Sequence, residues 1–486
     1  MSNFIVEFPL ITEPYQEHIL NKRFEIGRII YNTLVNQTKK IYREMIKTKK
    51  YRELQNKLSD DEKSNKLVWK EINNIRKENG FSEYSFHKLV SKSQKYFKKN
   101  IDSFTAQKIA TRLWLAYDKF FYGNGEKIYF KKFGTLNSLE GKSNSSGIRF
   151  RNNKIYWNKL IIPVKINYSN SYEYEALQHK ICYNRIIRRY VKNKYKYYVQ
   201  IVFEGIPPIK TNQNTGEVKH HIGNGDVGLD IGTSTIAISS MADVKIFEIA
   251  DKVKNIEREK LLLQRKMSRS RFSTNPNNYN SDGTIKSQGN RKVKWIKSNR
   301  YIKYQKQLRE LYRKQTAVRK YQHECLANYI ISLGNKFFVE KMNFKALQKC
   351  ATKTEKNEKG KFKRKKRFGK SLGNRAPSML LTIINRKLSY YGTELIEINT
   401  YKAKASQFNH IDNTFKKKKL SQRWNNLNGI KVQRDMYSAY LIMNINKDLE
   451  TFNMKKCNDR FDNFLKLHNR EVNRLKNHKN LSCIAI

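Results

Sequence analysis

The sequence predicts a multidomain α+β chain: a helical lobe, then a small β-barrel, then an α/β domain carrying a helical-hairpin insertion. Three observations lead there. A length of 486 residues corresponds to about three domains at the usual ~150 residues each. Apolar spacing changes from helical to alternating near residue 124. Beyond residue 225, three short strand patterns are followed by helix, strand, helix, strand and helix.

Taken in order, Phe4 to Phe8 read as a single strand within residues 1–14. Residues 15–123 read as helical: Leu20, Phe24, Tyr31 and Leu34 recur at amphipathic spacing, with Gly27 lowering the local propensity. Trp114, Tyr117, Phe120 and Phe121 close that lobe before the turn signal Gly123-Asn124-Gly125. Over residues 124–222 the segments become rich in β-branched and aromatic residues. Tyr195, Tyr197, Val199, Ile201 and Phe203 alternate as a half-buried strand requires. A looser stretch, residues 207–225, serves as a linker.

From residue 226 to 486 a single α/β domain is expected. Val227 to Thr233, Thr235 to Ser239 and Lys245 to Ala250 supply three strands at hairpin spacing. A basic helical hairpin over 251–335 follows, interrupted by a loop rich in Asn, Ser and Gly. Then come strands ending at Glu340 and near Asn399, and a helix starting near Asp435. That ordering is the one of RNase H-like domains.

Charge dominates the composition, with 99 Lys+Arg against 42 Asp+Glu and a formal net charge of +57. Such a chain repels itself unless a polyanion neutralises it, and nucleic acid does so with release of condensed counterions. With 29 Tyr and 25 Phe the chain has both a core and base-stacking surface, unlike a disordered basic tail. The five cysteines are scattered without C-x-x-C spacing, against both a zinc ribbon and a disulfide framework. Reduced thiols, an N-terminus without an apolar h-region and the lack of a long apolar run lead us to expect a cytoplasmic protein without membrane contact.

Three acids stand out by position. Asp230 lies between Leu229 and Ile231, Glu340 ends the run Phe337-Phe338-Val339, and Asp435 opens an apolar helix. A lone Asp at an element end is usually a cap or an ion-pair partner. Three carboxylates converging at strand ends repel one another unless cations neutralise them. Hard oxygen ligands select Mg²⁺ or Mn²⁺, and a pair of such ions supports phosphodiester hydrolysis. Gly228 and Gly232 flank the first acid and would leave room for a phosphate backbone.

The stretches Val227-Gly-Leu-Asp-Ile-Gly-Thr233, Phe338-Val-Glu-Lys-Met-Asn-Phe344 and Gln433-Arg-Asp-Met-Tyr-Ser-Ala439 resemble the three RuvC motifs of the TnpB family. That family comprises transposon-encoded RNA-guided endonucleases, to which miniature type V CRISPR effectors are related. Arg313-Lys-Gln-Thr-Ala-Val-Arg319 is similar to its basic bridging helix, and Asn385 to Tyr391 with Lys404-Ala-Ser-Gln407 to the stretch before its zinc ribbon. The resemblance is strong over residues 226–445 and one of pattern elsewhere, where it implies a recognition lobe and a wedge domain. It implies that Asp230, Glu340 and Asp435 are the metal-binding catalytic acids and that Arg434 contacts the scissile phosphate. It also implies that guide RNA and target double-stranded DNA are the partners, with a monomer or a homodimer on one guide RNA.

Two departures stand out. At the positions corresponding to the ribbon's thiolates are Asn409, Asp412, Asn425 and Asn428, so no structural zinc is expected. The cysteine-free target-loading loop around 401–430 would then hold itself together through Phe408, Phe415 and Trp424. Tyr437 stands where the family commonly has Asn, which would change hydrogen bonding around the acids. Basic residues expected to grip nucleic acid are Arg313, Lys314, Arg319 and Lys320 on the bridging helix, and Lys363, Arg364, Lys365, Lys366 and Arg367 in a lid-like loop. Two other activities fit the same residues: an RNA-guided DNA-binding regulator with little or no cleavage, and a guide-independent RuvC-type nuclease or transposase.

Overall fold

The computed structural model describes residues 2–58, 65–123, 125–192, 194–253, 255–286, 293–348, 358, 360, 368–419 and 422–477. The chain divides into two compact units, Met1–Glu217 and Val218–Ile486, and the division falls inside the expected linker.

The first unit opens with β1 (Asn3–Pro9) and the long helix α1 (Pro14–Met45), followed by α2 (Lys49–Asn56), α3 (Asn65–Glu78), α4 (Glu83–Tyr96) and α5 (Ser103–Phe121). Ser82 and Asp102 cap α4 and α5 by accepting from backbone N–H groups three residues on. The apolar stripe of α1, Leu20, Phe24, Ile30, Tyr31 and Leu34, is fully buried. Gly27 lies on it for a packing reason: a Cβ there would stand 2.9 Å from a methyl of Leu139, so the glycine lets α1 settle onto the sheet. Phe81, Phe86, Tyr117 and Phe121 form an edge-to-face and tilted aromatic cluster at the other end.

Next come β2 (Ser138–Glu140), β3 (Arg149–Arg151), β4 (Lys154–Trp157), β5 (Leu160–Pro163), α6 (Ser171–Leu177), β6 (Ile181–Val191) and β7 (Lys194–Glu204). The expected barrel does not form. The strands make a four-stranded sheet, β1-β7-β6-β2, and a separate three-stranded sheet, β3-β4-β5, neither of them closed. β2 and β3 are three residues each, too short to carry a ladder round a barrel, and an isolated bridge from Leu10 to Val164 is what reaches from one sheet toward the other. Alternation in β7 follows the expected pattern, with Tyr197, Val199, Ile201 and Phe203 buried. Buried Arg188 is satisfied by Asn21, Glu25, Asn137 and the Leu136 carbonyl.

The second unit is built on a five-stranded sheet of order β10-β9-β8-β11-β12. β8 (Asp226–Ile231), β9 (Thr235–Ser240) and β10 (Val244–Glu248) pair antiparallel, while β11 (Lys336–Glu340) and β12 (Leu395–Ile398) extend the sheet parallel to β8. Between β10 and β11 lie α7 (Glu257–Thr274) and α8 (Asn299–Ile331), which pack against each other. α7 buries none of its residues, and only the C-terminal part of α8 (His323, Ala327, Ile330, Ile331) is buried. Then follow α9 (Phe344–Gln348), α10 (Gly369–Arg375), α11 (Pro377–Ser389) and α12 (Thr400–Ala403). Two small hairpins come next, β13 (Phe408–Asn409) with β14 (Thr414–Phe415) and β15 (Trp424–Leu427) with β16 (Ile430–Gln433). α13 (Arg434–Met443) and α14 (Met454–Lys476) complete the unit.

Both faces of the sheet are covered, as its Val/Ile-rich strands require. Val227, Leu229, Ile236 and Ile238 pack with the end of α8 and with α11. Ala237, Val244 and Ile246 pack with α13 and α14. α13 approaches so closely that a Cβ on Gly228 would lie 2.0 Å from the Ala439 carbonyl oxygen and 2.4 Å from the Met443 nitrogen. Gly228 therefore makes room for a helix rather than for a phosphate. At Gly232 a Cβ would meet nothing closer than 3.6 Å.

Candidate active site

Register brings the first two acids together. β8 and β11 run parallel with Val339 opposite Leu229, so Glu340 ends its strand alongside Asp230. Asp435 is the second residue of α13, whose start is capped by Gln433 accepting from the Met436 N–H at 2.7 Å. Because α13 lies against β8 and β11, the helix start delivers the third acid to the same end of the sheet. All three are partly exposed.

Their electrostatics show that they share one neighbourhood. The Asp230 carboxyl is held well above the usual carboxylate range, by burial first and then by the negative charges of Glu340 and Asp435. Arg434 opposes the shift, and so does the nearby Ser438 hydroxyl, which otherwise has no hydrogen-bond partner. Burial raises Glu340 as well. Asp435 is engaged by guanidiniums: Arg434 donates to Oδ1 from Nε at 3.1 Å and from Nη2 at 3.0 Å. Arg423 reaches Oδ2 at 3.4 Å. Among the described residues no group of three or more His, Cys, Asp or Glu is close enough together to hold a metal ion. Burial and the negative charges of Glu340 and Asp435 hold a proton on Asp230, and oxygen acids are the donor type that suits a hard divalent cation.

Arg423 was not a sequence candidate. It lies 12 residues before Asp435 and is brought back by the β15–β16 hairpin, where the Arg434 N–H donates to the Arg423 carbonyl at 2.8 Å. Lys418 belongs to the same positive cluster: burial and then the Arg434 charge pull its ammonium below the usual lysine range.

The cysteine-free loop is held by packing and turns. Phe408 meets Phe415 at a tilt and stacks on Phe452, at centroid distances of 4.8 and 4.9 Å. Trp424 meets His468 edge-on at 6.3 Å. The four positions corresponding to ribbon thiolates sit in the two hairpins. The Asn409 side chain accepts from the Ile411 N–H, Asp412 accepts from the Thr414 N–H and hydroxyl, and Asn428 has φ 48° in the second turn. Tyr437 points into this packing and is fully buried. Its hydroxyl accepts from the His410 backbone N–H at 3.1 Å and lies 2.7 Å from His410 Nδ1. Burial pushes the His410 imidazole down to about 4, and Nδ1 shares a hydrogen bond with the tyrosine hydroxyl. Tyr437 thus ties the loop to α13.

The bridging-helix candidates divide. Arg313 pairs with Glu310 at 2.7 Å, and Arg319 donates to the Gly373 carbonyl at 2.7 Å, anchoring α10. Lys314 and Lys320 are exposed. Lys363, Arg364, Lys365, Lys366 and Arg367 lie outside the described residues.

No family model matches the chain, and no curated protein matches it. Among solved structures, a chain of "Cryo-EM structure of CRISPR-Cas12f Ternary Complex" is similar over 89% of this chain and 82% of that one. The identity is 12% and the TM-score 0.28, too low to define a shared fold. What fold and site define directly is a basic, mixed helix-and-sheet chain with three acids at one end of a covered sheet. No described helix is long and apolar enough to cross a membrane.

Proposed function

We propose that this chain is an RNA-guided DNA endonuclease of the TnpB and miniature type V type, with an RNase H-like RuvC site made of Asp230, Glu340 and Asp435. The observation that carries the reading is that Asp230 and Glu340 each follow directly after the paired residues Leu229 and Val339 on adjacent parallel strands, with Asp230 electrostatically linked to Glu340 and to Asp435 at the start of α13. A structural carboxylate gains little from two acidic neighbours, whereas a metal-dependent hydrolase needs them.

In this reading the three carboxylates hold Mg²⁺ or Mn²⁺, which when bound activates water and stabilises the leaving oxygen. Arg434, Arg423 and Lys418 supply positive charge beside Asp435, where a phosphodiester of the DNA strand has to lie. The exposed Lys314 and Lys320 contact nucleic acid backbone. Guide RNA provides sequence specificity by base pairing, while the chain senses backbone and shape. Protein, guide RNA and target DNA assemble in the cytoplasm, with one or two copies of the chain per guide. A cysteine-free loop without zinc performs the loading role.

A guide-dependent DNA-binding regulator is the second reading. It is favoured by one observation: Asp435 is already neutralised by two guanidiniums. The readings separate when the chain is co-expressed with its flanking non-coding DNA and offered a plasmid carrying the guide's target. Breaks in Mg²⁺ that vanish in EDTA and in Asp230→Ala are expected of the nuclease. Guide-dependent binding without breaks would establish the regulator. Breaks without guide RNA would establish an unguided nuclease.

A further inference from the structure

Residues 126–133 of the first unit, Glu126-Lys-Ile-Tyr-Phe-Lys-Lys-Phe133, follow α5 without forming helix or strand. Their rings point outward: Tyr129, Phe130 and Phe133 are 57%, 50% and 81% exposed, and only Ile128 is buried. Among the described residues no other aromatic ring pairs with any of the three. The backbone beneath them is nevertheless pinned to α1. The Asn32 carboxamide donates to the Lys131 carbonyl at 2.9 Å and accepts from the Lys131 N–H at 2.8 Å. Glu25 accepts from the Gly134 N–H at 3.0 Å.

Cations stand over the rings. The Lys39 ammonium is 4.6 Å from the Phe130 centroid, Lys127 is 5.1 Å from that of Tyr129, and the Arg28 guanidinium is 5.9 Å from that of Phe133. Glu25, Arg28, Asn32 and Lys39 share one face of α1, distinct from its buried stripe. Exposed rings gain little from the hydrophobic effect, and an isolated one is ordinary. Three within five residues, on a loop fixed in place, make a recognition surface. Aromatic faces interleaved with cations suit unpaired nucleobases, with rings stacking the bases and ammonium groups meeting phosphates. A duplex keeps its base faces inside the stack. The loop itself carries three lysines against one glutamate, which favours a polyanion over a neutral protein surface.

We propose that residues 126–133 form a stacking platform for consecutive unpaired bases of a single strand. Phe130 and Phe133 take the bases, and Lys39 and Lys127 the phosphates beside them. Base faces rather than sugars are read, so RNA and DNA strands dock alike. The platform requires no cleavage and stands whether the chain cuts or only binds.

Fluorescence anisotropy with the full chain in EDTA compares oligo(dT), oligo(U) and an abasic oligomer of equal length and charge, in salt that screens phosphate contacts. Both base-bearing strands are expected to bind about tenfold more tightly than the abasic one. In the double variant Phe130→Ala, Phe133→Ala that preference should vanish, with abasic binding and melting temperature unchanged. Tyrosine at both positions should retain it. No preference in the parent chain, a preference the alanine pair leaves intact, or a preference for oligo(U) alone would overturn the proposal. So would an altered oligomeric state with base preference kept, which would assign the rings to a contact between copies. Photocrosslinking to strands bearing 5-iodouracil needs no variant. After trypsin, label is expected on the peptide from Ile128 to Lys131 or on the one beginning at Phe133, and label confined to other peptides would overturn the platform. Metal-dependent cutting is assayed separately. Cutting that depends on Asp230, without base preference, refutes the platform and leaves the nuclease standing. Base preference with no cutting in any divalent metal keeps the platform and refutes the nuclease.

Discussion

At Asp230 the decisive quantity is the proton. Burial and two acidic neighbours raise its folded-state proton affinity, while the unfolded chain titrates near the ordinary value of about 4. As pH rises from that value through the raised one, the unfolded chain has released a proton that the folded chain still holds. Stability therefore falls over that window and the penalty persists above it. Without divalent metal, Asp230→Asn should melt higher than the parent chain at neutral pH and show a flatter dependence of melting temperature on pH. Equal slopes for the two proteins would mean that the acids do not interact. Tyr437 is a second residue with a separable role. Its hydroxyl satisfies a buried backbone N–H of His410, so Tyr437→Phe orphans that donor at a cost of about 1–3 kcal/mol. An earlier urea-unfolding transition, with tryptic cuts appearing first within residues 401–430, is the expected outcome. An unchanged midpoint would show that aromatic packing alone holds the loop.

Among elements, the contact between β8 and α13 controls the site, because the strand carries Asp230 and the helix carries Asp435. Gly228 sets their separation. In Gly228→Ala the new Cβ would collide with backbone atoms of Ala439 and Met443, which cannot rotate away as a side chain can. The helix must move or the unit must unfold, so we expect insoluble protein, or soluble protein without metal-dependent activity. Soluble, fully active Gly228→Ala would contradict the packing described. This contact was hidden in the sequence. The glycine beside an acid invited a phosphate explanation, and only the helix backbone shows otherwise. Arg423 was hidden for a related reason, since its approach to Asp435 depends on a hairpin whose strands are four residues each. The strand and helix patterns were legible, because alternation in β7 and the apolar runs of β8 and β11 are local properties. Sheet closure depends on which edges meet far along the chain, and for that reason the barrel expectation failed.

On the scale of the whole molecule, a net charge of +57 and three interacting acids pull in opposite directions. A strongly cationic chain repels free metal ions, so any tight divalent site has to be made by local carboxylates rather than by the overall field. The placing of the three acids at element ends was legible, because each end follows from a local apolar pattern. Among the basic candidates, charge alone could not tell a nucleic-acid contact from an internal anchor. Arg319 looks like its neighbours in sequence yet donates to Gly373, while Lys314 and Lys320 face solvent.

Calorimetric titration of Mn²⁺ into the full chain, alongside Asp230→Ala, tests the metal-dependent site most directly. Saturable binding in the parent chain that is lost in Asp230→Ala is the expected result. Absence of saturable binding in the parent chain, or identical isotherms for the two proteins, would contradict the assignment of Asp230, Glu340 and Asp435 as a metal-holding active site.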